Sequence, residues 1–288
     1  MKLSTLKKKV TEQLTLLYGR REAVSLFSML AEHYLKMNNI MLQLDAEREL
    51  SEEEVDLLLI AHGELIAFRP IQYIIGSTSF GGLTIQVKPG VLIPRPETEE
   101  MCFLALRQVE SHLADTPVSV LDICTGSGCI ALFLKQRILS AAVTATDISE
   151  TAIGLARQNA SDHQLPVCFI CADFLDEKQW MQFGMYHLLI SNPPYITHSE
   201  MNGLPENVAG YEPELALFVP DEDPLLFYRK IMMFSKLHMY PGGLLMLEFN
   251  ERFADEMLSL AKELGFRSAE VLNDFRGKPR FLSIFAQI

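Results

Sequence analysis

Apolar residues recur at three- and four-residue spacing through Leu14, Leu17, Val24, Phe27, Leu30, Ala31, Tyr34 and Leu35. That period lays one apolar stripe along a helix surface. Ser51 with Glu54 three positions on has the form of a capping box, and predicts a helix carrying Val55, Leu58, Leu59 and His62. Residues 1–72 therefore read as a small helical module, suited to recognition or packing, with no catalytic constellation in it. Residues 73–95 change character. Tyr73-Ile-Ile-Gly76, Phe80-Gly-Gly82, Leu83, Ile85, Val87 and Pro89-Gly90 read as a β-hairpin linking two domains. Pro94 and Pro96 then stiffen the backbone before a helix through Leu104 and Val109.

From residue 118 the period alternates. Strand patterns lie at 118–123, 142–146, 167–171, 187–191 and 244–249. Between and after them fall helical patterns at 130–139, 152–160 and 225–237, and one through Leu264. Residues 269–272 and 281–286 add two strands joined by a short basic loop. Such alternation builds a mostly parallel sheet covered on both faces, with right-handed crossovers. The expected fold class is α/β, a seven-stranded Rossmann-like sheet over residues 96–288 whose last pair is antiparallel.

Composition narrows the partners. A chain of 288 residues has room for two cores, and 49% hydrophobic against 22% charged residues is the balance of a folded globular protein. The net charge of −12 disfavours a protein that wraps duplex nucleic acid, because such affinity comes from Lys and Arg on phosphates. No signal-type start and no run of about 18 apolar residues is present, so neither export nor a membrane span is expected and the cytoplasm is the default. Five cysteines, Cys102, Cys124, Cys129, Cys168 and Cys171, fit a reducing compartment. Cys168-x-x-Cys171 lies in an apolar run with no second pair at zinc spacing, so buried strand cysteines are expected there and no metal site.

Three motifs carry chemistry. The first, Asp122-Ile-Cys-Thr-Gly126-Ser-Gly128, leaves a strand and enters a helix, so its glycines let the backbone approach a ligand at a helix N-terminus. Alone it serves a dinucleotide as well as an adenosine-bearing methyl donor. The second is Asp147, after the next strand, placed to accept from ribose hydroxyls; helix capping, in competition with Ser149, is its other use. Asp173-Phe174, after the third strand, could flank an adenine or belong to the core. The third motif, Asn192-Pro193-Pro194-Tyr195, decides between them. It follows the strand ending at Ser191, at the carboxyl edge where open α/β sheets bind ligands. Two prolines remove two N–H donors, so the Asn192 side-chain oxygen and the Pro193 carbonyl can accept both hydrogens of one NH₂ group, and Tyr195 offers a flat face to its planar parent. An amide nitrogen is a poor nucleophile because its lone pair is delocalised; holding both N–H bonds aims it at an electrophile.

These motifs resemble the PrmC (HemK) family of release-factor glutamine methyltransferases. Pro70–Gly76 with Phe80-Gly81, the run from Val91 to Glu99, Leu121 to Gly128, Ser191 to Tyr195, and Glu212-Pro213 with Ala216-Leu217 are similar to the family's segments. The resemblance implies a helical N-terminal domain, a β-hairpin and a class I methyltransferase domain. It implies transfer of a methyl group from S-adenosyl-L-methionine to the glutamine nitrogen of the Gly-Gly-Gln loop of peptide chain release factors. Carried over by position, Cys124, Thr125, Gly126, Ser127, Gly128, Asp147, Phe174 and Asn192 would contact the cofactor, and Asn192, Pro193, Pro194 and Tyr195 the glutamine amide. Cys124 stands where the family usually has glycine. Asn250-Glu-Arg-Phe253 departs from the family pattern, so no role passes to it. Arg95 and Glu97 fit either a closure over the site or a rigid turn. An amino-group methyltransferase acting on adenine in nucleic acid would use the same turn on an extruded base, and the acidic charge disfavours it. A nicotinamide-dependent oxidoreductase would leave Asn192–Tyr195 without a purpose, and a binding module without catalysis ranks below both. A monomer is expected.

Overall fold

In the computed structural model, which describes residues 1–113 and 117–286, the first apolar stripe becomes α1 (Leu3–Tyr18) and α2 (Arg20–Leu35). The helix breaks at Gly19, so the period restarts there. Leu14, Phe27, Leu30, Ala31 and Leu35 are buried as the stripe predicts, whereas Leu17 and Val24, on either side of the break, are exposed. A short α3 (Met41–Leu44) follows, and then α4 (Glu52–Ile66), which opens on the expected box. Glu54 N donates to Ser51 Oγ at 3.1 Å and Ser51 N donates to Glu54 Oε2 at 2.9 Å. These helices, α5 (Ile71–Ile75) and α9 (Glu206–Ala209) make one unit, residues 1–76 with 205–211. Leu3, Leu6, Phe27, Leu58 and Leu65 are among the side chains of its core. Tyr73–Ile75 thus end a helix and do not open the hairpin, because the Gly76 amide closes a helical turn onto Gln72 O at 2.8 Å.

Residues 77–204 with 212–288 form the second unit. It opens with the hairpin β1 (Ser77–Phe80) and β2 (Leu83–Gln86), then α6 (Pro96–His112) with proline in its first turn. Strands β3 (Ser119–Ile123), β4 (Ala142–Asp147), β5 (Cys168–Cys171) and β6 (Tyr186–Ser191) alternate with α7 (Cys129–Arg137) and α8 (Glu150–Asp162). A minor pair, β7 (Ile196–Thr197) and β8 (Phe218–Val219), brackets α10 (Glu214–Leu217). The chain ends with α11 (Leu226–His238), β9 (Met239–Glu248), α12 (Ala254–Glu263), β10 (Ala269–Asn273) and β11 (Pro279–Phe285).

The main sheet has seven strands in the order β10-β11-β9-β6-β3-β4-β5, as the alternation predicted. The pairs β9/β6, β6/β3, β3/β4 and β4/β5 are parallel, and β11 runs antiparallel to both β9 and β10. The chain winds outward from β3 to β5, then returns to the other side of β3 with β6. That reversal leaves a crevice beyond the carboxyl ends of β3 and β6, where open sheets take ligands. α7 is buried from Cys129 through Lys135, which is why its sequence is apolar on every side. One expectation fails. Cys168 and Cys171 are both exposed, because β5 is a four-residue edge strand that the covering layer only partly reaches. Among the described residues, no helix is long and apolar enough to cross a membrane.

Candidate active site

The turn after β3 is held from below by Asp122. This carboxyl is fully buried; Thr125 Oγ1 donates to its Oδ2 at 2.5 Å and Ala131 N donates to the same oxygen at 3.2 Å. Burial pushes it up to about 7 despite those bonds, with the Asp147 charge adding to the rise. From the side, Asn159 Nδ2 donates to Ser127 O at 2.9 Å and to Gln86 O at 3.1 Å, while Gln86 N donates to Asn159 Oδ1 at 2.8 Å. One buried amide therefore ties the turn to β2. Gly126 has φ +56°, and a side chain there would project toward Val91 across the cleft lining. Gly128 serves packing: a Cβ on it would lie 3.0 Å from the Ala156 methyl. Cys124 takes φ +61° without being glycine, which strains the backbone.

Asp147 closes this arrangement. Gly126 N donates to its Oδ2 and Ser149 N to its Oδ1, each at 2.9 Å. The cap of α8 is Ser149, whose Oγ accepts from Ala152 N, so capping does not account for Asp147. Burial raises its carboxyl above the usual range, opposed by the backbone N–H groups of Ser149, Gly126 and Ile148 around it.

Cys124, Thr125, Gly126, Ser127, Asp147, Phe174, Asn192 and Pro194 all line one cleft. Gly128, Pro193 and Tyr195 are not on its wall. Phe174 edges the cleft while its ring packs on Trp180, Phe183 and Phe234, so it belongs to the core as well as to the cleft wall. Asp173 also faces the cleft and accepts from Leu175 N at 2.9 Å. Arg95 pairs with the buried Glu212 at 2.5 Å, and Ile93 N donates to the other Glu212 oxygen at 3.2 Å. The Arg95 stretch is thereby fastened to the segment before α10, with both ends of the clamp beside the cleft.

Comparison with known proteins places the chain in a family. The "Methyltransferase small domain" model matches residues 105–205, and the "PrmC N-terminal domain" model matches residues 8–76. The release factor glutamine methyltransferase of Bacteroides thetaiotaomicron is 42% identical over 214 residues, 74% of this chain and 75% of that protein. That of Flavobacterium psychrophilum is 32% identical over 273 residues, 95% of each chain. The chain belongs to the release factor glutamine methyltransferase family. A solved structure of the hMettl16 catalytic domain in complex with MAT2A 3′UTR hairpin 1 superposes with a TM-score of 0.55, covering 91% of this chain and 93% of that one. At 13% identity this likeness concerns the fold alone.

The cleft of this methyltransferase suits an adenosine-bearing donor. Asp147 has lone pairs left for vicinal hydroxyls beyond its two backbone bonds. Ser127 and Thr146 line the same cleft, and the buried Thr146 hydroxyl has no partner among the described residues. Sequence reasoning missed two residues that hydrogen-bond to the Asn192–Tyr195 turn. Asn192 Nδ2 donates to Thr98 Oγ1 at 2.9 Å, Thr98 Oγ1 donates to Glu248 Oε2 at 2.7 Å, and Tyr195 OH donates to Glu248 Oε1 at 3.2 Å. Glu248 is 1% exposed, and burial pushes its carboxyl up to about 7. Burial, then the neighbouring Glu248 charge, also drives the Tyr195 phenol upward, so it stays protonated as the donor this contact needs.

Proposed function

We propose that this chain transfers the methyl group of S-adenosylmethionine to the side-chain nitrogen (N5) of the glutamine in the Gly-Gly-Gln loop of peptide chain release factors, in the cytoplasm and as a monomer. The observation that carries the reading is the state of Asn192. Its Nδ2 is committed to Thr98, while Oδ1 has no donor among the described residues and its residue lines the cleft. An acceptor so placed takes one hydrogen of an NH₂ group; the Pro193 carbonyl, on the same turn but off the cleft wall, is the proposed acceptor of the other. Cys124 to Ser127, Asp147, Phe174 and Asn192 line the cleft and would hold the donor, with Gly128, off the wall, letting the turn pack on α8 behind them. The bound donor supplies an electrophilic methyl on a positively charged sulfur.

Everything else falls to the chain. Asn192 and Pro193 fix both N–H bonds, which aims the nitrogen lone pair and lowers the entropic barrier. The same two oxygens hold the N–H protons as they grow acidic, so no strong base is required at the outset. Tyr195 works from behind, with its hydroxyl anchored on Glu248. In this reading the helical module, residues 1–72, recognises the release factor, residues 73–95 link, and residues 96–288 carry the chemistry.

The test is methyl incorporation from labelled S-adenosylmethionine into a purified bacterial-type release factor, beside its Gly-Gly-Gln→Gly-Gly-Ala variant and duplex DNA. Label in the intact factor alone supports the reading. Label in DNA alone overturns it in favour of base methylation.

A further inference from the structure

Asn192 is one end of a buried chain of hydrogen bonds that crosses three elements. Thr98 in the first turn of α6 is 3% exposed, and Glu248 at the end of β9 is 1% exposed. A threonine hydroxyl has one hydrogen to give. An ionised carboxylate only accepts, so beside Glu248 that hydrogen goes to Oε2 and Thr98 turns a lone pair to Asn192. A lone pair can accept only from the nitrogen of an amide. The chain of bonds therefore decides the orientation of the Asn192 side chain, Nδ2 inward and Oδ1 toward the cleft.

We propose that Glu248, acting through Thr98, is the positioning residue that sets which end of the Asn192 amide faces the substrate. The inference rests on the amide-clamp reading of Asn192 above. Ionised Glu248 presents Oδ1 as an acceptor for the substrate NH₂. A proton taken from solvent onto Oε2 makes Glu248 a donor to Thr98 Oγ1; the Thr98 hydrogen then turns to Asn192, whose Oδ1 must face inward. The cleft would meet an NH₂ with an NH₂, and the clamp is lost.

The surroundings place this switch within reach of ordinary pH. Burial raises the carboxyl to about 7, opposed by the bonds from Thr98 and Tyr195 and by the Arg280 charge from β11. The Glu97 charge on α6 pushes the same way as burial. Cys102 on α6 senses the Glu248 charge, and Tyr228 on α11 donates to the Glu248 backbone carbonyl at 3.1 Å. Two donors already aim at the carboxylate, so the ionised form is the one in which every bond of the chain is made.

The experiment has two arms. In the first, the Asn192 side-chain ¹⁵N resonance, assigned by its loss in Asn192→Asp, is followed from pH 6 to 8.5 in the wild type, Thr98→Val, Thr98→Ser and Glu248→Gln. The proposal expects a titration near pH 7 in the wild type and Thr98→Ser, and none in Thr98→Val or Glu248→Gln. A wild-type resonance that does not move, or moves equally in Glu248→Gln, overturns it. Asp122 is also pushed up to about 7, so a titration abolished by Asp122→Asn and kept in Glu248→Gln overturns it as well. This arm needs no substrate, so it stands apart from the identity of the methyl acceptor.

In the second arm, kcat on the release factor should fall about tenfold per pH unit below 7 in the wild type. Thr98→Ser should keep that limb. Thr98→Val should lose about 100-fold at pH 8 and show no limb while still melting cooperatively, although the buried carboxylate loses one donor. Wild-type kcat and an unaltered limb in Thr98→Val would overturn the relay. A wild type that never labels the factor would instead sink the proposed substrate, leaving the first arm to decide the relay.

Discussion

Replacing Glu248 by glutamine should flatten part of the protein's stability–pH curve. Folding raises this carboxyl from 4.5 to about 7, chiefly by burial. Between those values the folded chain holds a proton that the unfolded chain has released. The sign follows from linkage: the contribution is complete below pH 4.5, is lost as pH rises to 7, and is constant above. A shift of about 2.5 units at 1.36 kcal/mol each is a loss of about 3 kcal/mol across that window. Glutamine keeps the shape and one acceptor oxygen, turns the other end into an NH₂ donor, and does not titrate. Urea unfolding at pH 5 and pH 8 reads the difference through Trp180, the single tryptophan, buried against Phe174 and Phe234 in the same unit. The wild type should lose between about 2 and 3 kcal/mol more than Glu248→Gln on going from pH 5 to 8, since part of the loss already falls below pH 5. Asp122 is raised from 3.8 to about 7, and Glu248 is not among the causes of its shift. Asp122→Asn should therefore remove a separate share of the pH dependence, additive with the first. Equal slopes in wild type and Glu248→Gln would refute the reasoning, because a carboxyl that ionises normally when buried cannot be paying the desolvation assigned to it.

Three further outcomes are expected. Asp147→Ala removes the acceptor for two backbone amides and for the ribose, so affinity for S-adenosylhomocysteine should fall at least about tenfold in calorimetry; an unchanged dissociation constant would refute the ribose role. Gly81→Ala places a methyl 2.1 Å from Phe133 Cδ2 at a φ of +59°, and the melting curve should report a loss of more than about 2 kcal/mol. Cys124 holds φ +61°, so Cys124→Gly should stay within about 1 kcal/mol of the wild type while Cys124→Val loses about 2 kcal/mol or more; equal stabilities for the two variants would refute the assigned strain.

Local periods carried most of the fold. Each parallel strand lies within two residues of its apolar run at its N-terminal edge, except β9, which starts five residues earlier at Met239. The early residues Tyr240 to Gly243 lack an apolar pattern, and they join the strand through pairing: Tyr186 opposes Met239, with a register shift before Leu188 meets Leu244. Pairing of that kind is tertiary and leaves no local period. Cys168 and Cys171 misled for a related reason. An apolar run states that a strand wants cover, and the position of β5 at the sheet edge decides how much it receives.

The candidate site divides along the same line. Residues that follow a strand end are legible, since the strand pattern predicts where Cys124 to Gly128, Asp147, Asp173 and Asn192 emerge. Thr98 and Glu248 lie 94 and 56 positions from Asn192, and the sheet order alone brings β9 beside β6. Yet one signal was present in the chain. Glu248 interrupts Leu244-Leu-Met-Leu247 and Phe249, and a carboxylate inside a run that reads as fully buried carries a desolvation cost that packing cannot offset. Such a residue persists where a donor meets it, and here two do, from Thr98 and Tyr195. A charge that breaks an apolar strand at its carboxyl end, where a parallel sheet opens toward its ligand, is thus a site signal in its own right. The glycine turn and the Asn-Pro-Pro-Tyr turn carry the expectation of what is bound and held; the buried acid behind them, in the role proposed for it, keeps the holding groups facing the right way.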